Sequence, residues 1–143
     1  MNRVLGIDHG EARIGLAVSD ELGMLAHPLE TIHLKNTRDP LARIAAICER
    51  DRIASIILGL PRNMNGSYGP AAEKIRAFAE KLRARVTCEV KLWDERLTSV
   101  AAQRSLHEVG RNVKNSREII DQVAAQIILQ SWLDSQATNS GHR

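Results

Sequence analysis

Four carboxylates occupy costly places in this sequence. Asp8 ends the apolar run Val4-Leu5-Gly6-Ile7. Asp94 and Glu95 follow directly on a segment ending at Trp93, and Asp121 sits in a very apolar stretch beside Ile120 and close to Ala124 and Ala125. A carboxylate at the end of a buried strand is expensive unless it has a partner. Brought to one end of a sheet, these groups would form an acidic cage. All-oxygen donors of this kind suit Mg²⁺ or Mn²⁺, which take few protein ligands and fill the remaining positions with water and phosphate. Each acid also has an ordinary reading by itself. An Asp after a strand is commonly a turn residue or helix cap, Asp94 can pair with Arg96, and Asp121 can pair with Arg117 one helical turn back.

Groups able to hold a phosphate chain lie near these acids. Gly10 and Gly15 would allow backbone to approach phosphate closely, or would serve as turn and strand-packing glycines. Arg13 and Arg96 flank the acidic segments and have the fork for bidentate phosphate binding, while Arg96 could equally orient Asp94 or Glu95. The loop Arg62-Asn63-Met64-Asn65-Gly66-Ser67 carries donors suited to a nucleic-acid groove. Arg111, Lys114 and Arg117 form a local basic cluster, which is also what a solvated loop looks like. The five histidines have no metal-ligand spacing. His9, the one near the acids, reads either as a proton carrier or as a turn histidine.

The elements that would position these groups follow from the hydrophobic periodicity. Residues 4–7 read as a buried strand, 9–12 as a turn, and Ile14, Leu16 and Val18 as an alternating second strand. His27–Leu34 reads as a third strand, weakened by Pro28. The period then becomes helical. Asp39-Pro40 supplies an N-cap and a Pro at the first helical position, opening a helix over 40–51. Ile53–Leu60 is a strand, Pro70 opens a helix with Ile75, Phe78, Ala79 and Leu82 on one face, and Val86–Trp93 is a strand. Thr98 caps a helix to about residue 108. Asn115 with Glu118 forms a capping box for a last helix to about residue 135, with Ile120, Val123, Ala124, Ile127 and Ile128 inward. The order βββαβαβαα, a meander followed by strand–helix alternation, predicts an α/β fold: a five-stranded mixed sheet with helices on both faces.

With 143 residues the chain is expected to form a single domain over 1–136, followed by a flexible tail over 137–143. It has 43% hydrophobic and 26% charged residues, a globular and not a disordered balance. No apolar run is long enough for a membrane-spanning helix, and the first eight residues lack the apolar core of a signal peptide. Together with only two cysteines, Cys48 and Cys88, this leads to the expectation of a cytoplasmic chain. Twenty Lys and Arg against seventeen Asp and Glu give a net charge of only +3, so the distribution of charge matters more than its sum. Aromatic residues make up 3% of the chain, too few for a base-stacking platform, so nucleic acid would be met through its phosphates.

Four blocks, taken together, carry a family resemblance. They are Gly6-Ile7-Asp8-His9-Gly10 with Arg13-Ile14-Gly15-Leu16-Ala17-Val18-Ser19-Asp20; Gly59-Leu60-Pro61-Arg62-Asn63-Met64-Asn65-Gly66-Ser67; Trp93-Asp94-Glu95-Arg96-Leu97-Thr98-Ser99; and Ile120-Asp121-Gln122-Val123-Ala124-Ala125 running on to Gln130. In this order and spacing they resemble the YqgF/RuvX family, over the chain to about Asp134. The resemblance implies an RNase H-like fold with strand order 3-2-1-4-5, similar to Holliday-junction resolvases. It implies a nuclease, a metal-dependent phosphodiesterase acting on nucleic acid, associated in bacteria with maturation of the 5′ end of pre-16S rRNA. Asp8, Glu95 and Asp121 match the family's acids as catalytic residues and metal ligands, with Asp94 as an alternative to Glu95. The cofactor implied is Mg²⁺ or Mn²⁺, as a pair of ions clamping the scissile phosphate. Gly10, Arg13, Arg62, Asn63, Asn65, Arg96, Arg111, Lys114 and Arg117 are the residues expected to meet nucleic acid, either pre-rRNA within a ribosomal precursor particle or branched DNA.

Other readings remain. A four-way DNA junction resolvase would use the same fold and acids as a homodimer, whereas an rRNA nuclease could act as a monomer. A non-catalytic RNA-binding module could retain the scaffold. Asp8-His9-Gly10 also resembles the first phosphate loop of the sugar-kinase, Hsp70 and actin ATPases, but the chain has no room for their second lobe.

Overall fold

The computed structural model describes residues 3–61, 65, 67–95 and 116–140, with side chains in the last stretch for residues 119–137. The three opening strands, β1 (Arg3–His9), β2 (Arg13–Ser19) and β3 (Ala26–His33), form an antiparallel meander. Helix α1 (Pro40–Arg50) leads to β4 (Ile53–Leu60), and α2 (Pro70–Arg83) leads to β5 (Glu89–Asp94). Both β4 and β5 run parallel to β1, giving a five-stranded sheet in the order β3-β2-β1-β4-β5, as expected. The long helix α3 (Ser116–Ser140) closes the fold. The helix expected over 98–108 and the capping box at Asn115 lie outside the described residues.

Local chemistry accounts for these boundaries. The Asp39 carboxylate accepts a hydrogen bond from the Ala42 amide at 3.2 Å, and Pro40 occupies the first helical turn, so α1 starts where its cap dictates. Pro28 is tolerated because β3 is an edge strand, and the β2–β3 register slips between Leu16 and Ala17, beside the Ala17–Pro28 pair. The strand expected from Val86 begins only at Glu89. Helix α3 continues to Ser140, past the end expected near residue 135 and into the segment expected to be a tail.

Helices cover both faces of the sheet. Leu5, Ile7, Ile14, Leu16, Ile56 and Leu58 face α1 and α2, meeting Ile44, Ile47, Phe78 and Leu82. Val4, Ala17 and Ile57 face α3, meeting Ala125, Ile128, Leu129 and Leu133. The buried stripe of α3 is therefore turned from the one expected: of Ile120, Val123, Ala124, Ile127 and Ile128, only Ile128 is fully buried. The segment is apolar on nearly every side, so its periodicity does not reveal which side meets the sheet.

Three glutamines, one helical turn apart on α3, bond the edge strand. Gln122 Nε2 donates to Thr31 Oγ1 at 3.2 Å, and Gln126 Nε2 donates to the Ala26 carbonyl at 3.0 Å. Gln130 accepts from the Ala26 amide at 2.9 Å and donates to the Met24 carbonyl at 2.9 Å. These bonds satisfy backbone groups at the start of β3 and fix the rotation of α3 over the sheet.

Candidate active site

β1 is the central strand, and its C-terminal end is where the acids meet. Side chains alternate along a strand. Leu5 and Ile7 enter the α1/α2 core, so Gly6 and Asp8 face α3. Asp8 pairs with Gly15 on β2, and Ile7 pairs with Leu58 on β4, so Gly59 lies beside Asp8 on its other flank. Asp8 thus stands between two glycines.

Each glycine leaves room for an acid-bearing residue. A Cβ on Gly15 would stand 2.0 Å from the Asp121 carbonyl oxygen and 2.9 Å from Asp121 Cβ. A Cβ on Gly59 would stand 2.8 Å from Glu95 Oε1 and 2.6 Å from Ile128 Cδ1. At Gly15 the obstacle would be helix backbone, which cannot give way, so glycine there is what admits Asp121 to one flank of Asp8; at Gly59 the neighbours are the flexible ends of Glu95 and Ile128, which glycine lets lie against the strand on the other flank. Gly6 plays the same part further down α3, under Ala125 and Leu129. Asp121 precedes Ala125 by one turn, so it continues the stripe that meets the sheet.

The electrostatics reflect this gathering. Burial, then the Glu95 carboxylate, then that of Asp121 push the Asp8 carboxyl up to about 7. Burial and the neighbouring Asp94 raise that of Glu95. Asp121 has a counter-charge: Arg13 Nε donates to Asp121 Oδ2 at 2.6 Å, in an ion pair largely shielded from water. Among the described residues, no three His, Cys, Asp or Glu side chains are already set as ligands of one ion. The donor set nonetheless fits a hard divalent cation. Asp8 comes from β1, Glu95 from the residue just past β5 and Asp121 from α3, and Asp8 is held toward its neutral form by burial and like charge, the condition that a cation relieves.

The remaining expected residues fall as follows. The Gly10 amide donates to the Arg13 carbonyl at 2.8 Å, closing the tight β1–β2 turn. Arg13, expected to bind phosphate, is engaged with Asp121. Asn65 Oδ1 accepts from the Ser67 amide at 3.0 Å and from Ser67 Oγ at 2.6 Å. Asp94 ends β5, paired with Leu60. Arg62, Asn63, Arg96, Arg111 and Lys114 lie outside the described residues, and so does the side chain of Arg117. His9 points to the opposite face of the sheet from Asp8, its ring centroid 4.3 Å from that of Phe78, and burial lowers its pKa. On that face His9 lines a cleft of about 500 Å³ with Glu11, Pro61, Pro70 and Lys74. A larger cleft of about 610 Å³ lies away from the acids, lined by Cys48, Arg52 and Arg85.

Sequence reasoning gave no role to Gly59 or to the α3 glutamines. Gly59 is the next-to-last residue of an apolar strand and directly precedes Leu60-Pro61, where a turn glycine would be unremarked. The i, i+4 repeat of glutamines at 122, 126 and 130 in an otherwise apolar helix was the available signal.

Comparison with known proteins bears on the family and the fold. The family model described as "RuvX: Holliday junction resolvase" matches residues 2–135. A protein of Myxococcus xanthus named "Putative pre-16S rRNA nuclease" is 46% identical over 133 residues, covering 93% of this chain and 88% of its own. A Clostridium botulinum protein of the same name is 43% identical over 133 residues, covering 93% of this chain and 97% of its own. Among solved structures, Thermus thermophilus RuvC in complex with a Holliday junction substrate matches with a TM-score of 0.54 at 16% identity, over 95% of this chain and 97% of its own. The fowlpox virus Holliday junction resolvase matches with a TM-score of 0.53 at 14% identity, over 93% and 99% respectively. At these identities the likeness is one of fold.

Proposed function

The chain belongs to the RuvX family, and on that premise we propose that it is a metal-dependent nuclease of the cytoplasm that hydrolyses phosphodiester bonds in the 5′ leader of pre-16S rRNA. The observation that carries this reading is the seating of Asp121 and Glu95 over the two glycines that flank Asp8. A binding-only scaffold would gain nothing from gathering carboxylates where a phosphate must lie. The names of the curated relatives supply the substrate class.

Asp8, Glu95 and Asp121 would hold the ions, Mg²⁺ or Mn²⁺. When bound, divalent cations supply positive charge against the phosphate and make water more acidic. The rest falls to the chain. Asp8 sits on the central strand, so its position is fixed by the sheet and not by a loop. Because burial and like charge favour its proton, ion binding must release that proton, and loading is expected to strengthen with rising pH. Gly15 and Gly59 leave the flanks of Asp8 open to Asp121 and Glu95. His9, behind the sheet and packed on Phe78, takes no part in proton transfer at the acids.

The description of the matching family favours a second reading, a four-way DNA junction resolvase. A cleavage assay separates the two. End-labelled pre-16S 5′-leader RNA and a labelled four-way junction are incubated with the protein in Mg²⁺ and in Mn²⁺. RNA cutting that EDTA abolishes supports the proposal. Paired symmetric cuts in the junction, with the RNA intact, would move the assignment to a resolvase.

A further inference from the structure

Arg13 has the fork and the location of a phosphate ligand, yet its guanidinium is occupied. Its Nε donates to Asp121 Oδ2 at 2.6 Å, where the two side chains are only 26% and 16% exposed. We infer that Arg13 is a positioning residue that holds the Asp121 carboxylate in register for a divalent cation, and does not itself bind the nucleic-acid backbone. This rests on the reading of Asp121 as a metal ligand.

The geometry fixes Asp121 from two directions. Arg13 and Gly15 are two apart on β2 and share the face toward α3. Gly15 receives the Asp121 backbone, and Arg13 receives its carboxylate. Arg13 is itself tied at both ends of the local chain. Its carbonyl accepts the Gly10 amide across the tight turn, and it pairs with His33 on β3. Among the described residues Oδ1 accepts no hydrogen bond, which leaves one oxygen for an ion while the other stays on the guanidinium. A ligating carboxylate is ordinarily oriented by such an outer partner, and removal of the partner typically weakens ion binding about 10- to 100-fold.

The test is Mn²⁺ binding, followed by the electron paramagnetic resonance of free Mn²⁺, in wild type, Arg13→Gln and Arg13→Lys. Circular dichroism melts confirm that each is folded. The expected result is an affinity about 10- to 100-fold weaker in Arg13→Gln and largely restored in Arg13→Lys. In an Asp121→Asn background, Arg13→Gln should add no further weakening. The salt dependence of RNA binding supplies an independent readout. If Arg13 neutralised a phosphate, Arg13→Gln would reduce the slope of log K against log salt by about 1, whereas a positioning role leaves it unchanged. Wild-type Mn²⁺ affinity in Arg13→Gln, or a reduced salt slope, overturns the inference while the parent reading stands. If wild type itself binds no Mn²⁺, both fall together. Should Arg13→Gln fail to fold, Arg13→Met carries the same two readouts: weakened Mn²⁺ binding with the salt slope retained supports the inference, and wild-type affinity or a reduced slope contradicts it.

Discussion

Gly15 lies directly beneath Asp121: a methyl group on Gly15 would stand 2.0 Å from the Asp121 carbonyl oxygen. That oxygen belongs to the backbone of α3 and cannot rotate away, so the helix itself would have to move. Gly15→Ala is expected to destabilise the protein by about 1–3 kcal/mol or more, as overpacking does, and to abolish cleavage by lifting Asp121 from the flank of Asp8. Denaturant melts and a cleavage assay check the two effects. Wild-type stability and rate in this variant would mean that α3 does not sit as described.

The Asp8 carboxyl provides a pH signature in metal-free protein. Its folded value of about 7 lies above its ordinary value of 3.8. As pH rises between these values, the unfolded chain gives up the proton while the folded chain keeps it. Stability contributed by the protonated group is therefore complete below about pH 4 and is lost as pH climbs through 7. Urea denaturation in EDTA should show wild type weaker at pH 8 than at pH 5, by an amount on the order of a few kcal/mol. Asp8→Asn should flatten that difference, and Mn²⁺ should restore wild-type stability at pH 8. Equal slopes in the two proteins would remove Asp8 as their cause.

Gln130 both accepts from the Ala26 amide and donates to the Met24 carbonyl, at 2.9 Å each. Ala26 is 4% exposed, so replacing Gln130 by Leu would strand an amide with little access to water. The expected cost is about 1–3 kcal/mol, read as a lowered denaturation midpoint with an unchanged m-value. Gln136→Leu, at an exposed position near the end of α3, should change stability by less than about 0.5 kcal/mol. If the two substitutions cost the same, the glutamine bonds do not hold α3 to β3.

Much of this architecture was legible in the sequence because several levels of signal agreed. The Asp39-Pro40 start of α1, the alternation of β2 and the continuous apolar run of β4 each point to one structure. The gathering of Asp8, Glu95 and Asp121 was legible only through the family blocks, since no single acid departs from a turn or cap residue. The phase of α3 was not legible. Its residues are apolar on most sides, and glycines on β1, β2 and β4, distant in sequence, decide which side meets the sheet. The engagement of Arg13 was hidden for a related reason: its partner lies 108 residues away, and an Arg beside an acidic block reads equally well as a phosphate ligand.

The central claim is that the carboxylates of Asp8, Glu95 and Asp121 form one ion-dependent catalytic centre. Single-turnover cleavage of end-labelled pre-16S leader RNA in Mg²⁺, comparing wild type with Asp8→Asn at matched folded concentration, tests it most directly. The account predicts a fall of at least about 10³-fold, because removing one carboxylate of a clamp removes charge stabilisation made in the transition state. Cleavage by Asp8→Asn within about tenfold of wild type, with the variant folded, would contradict it.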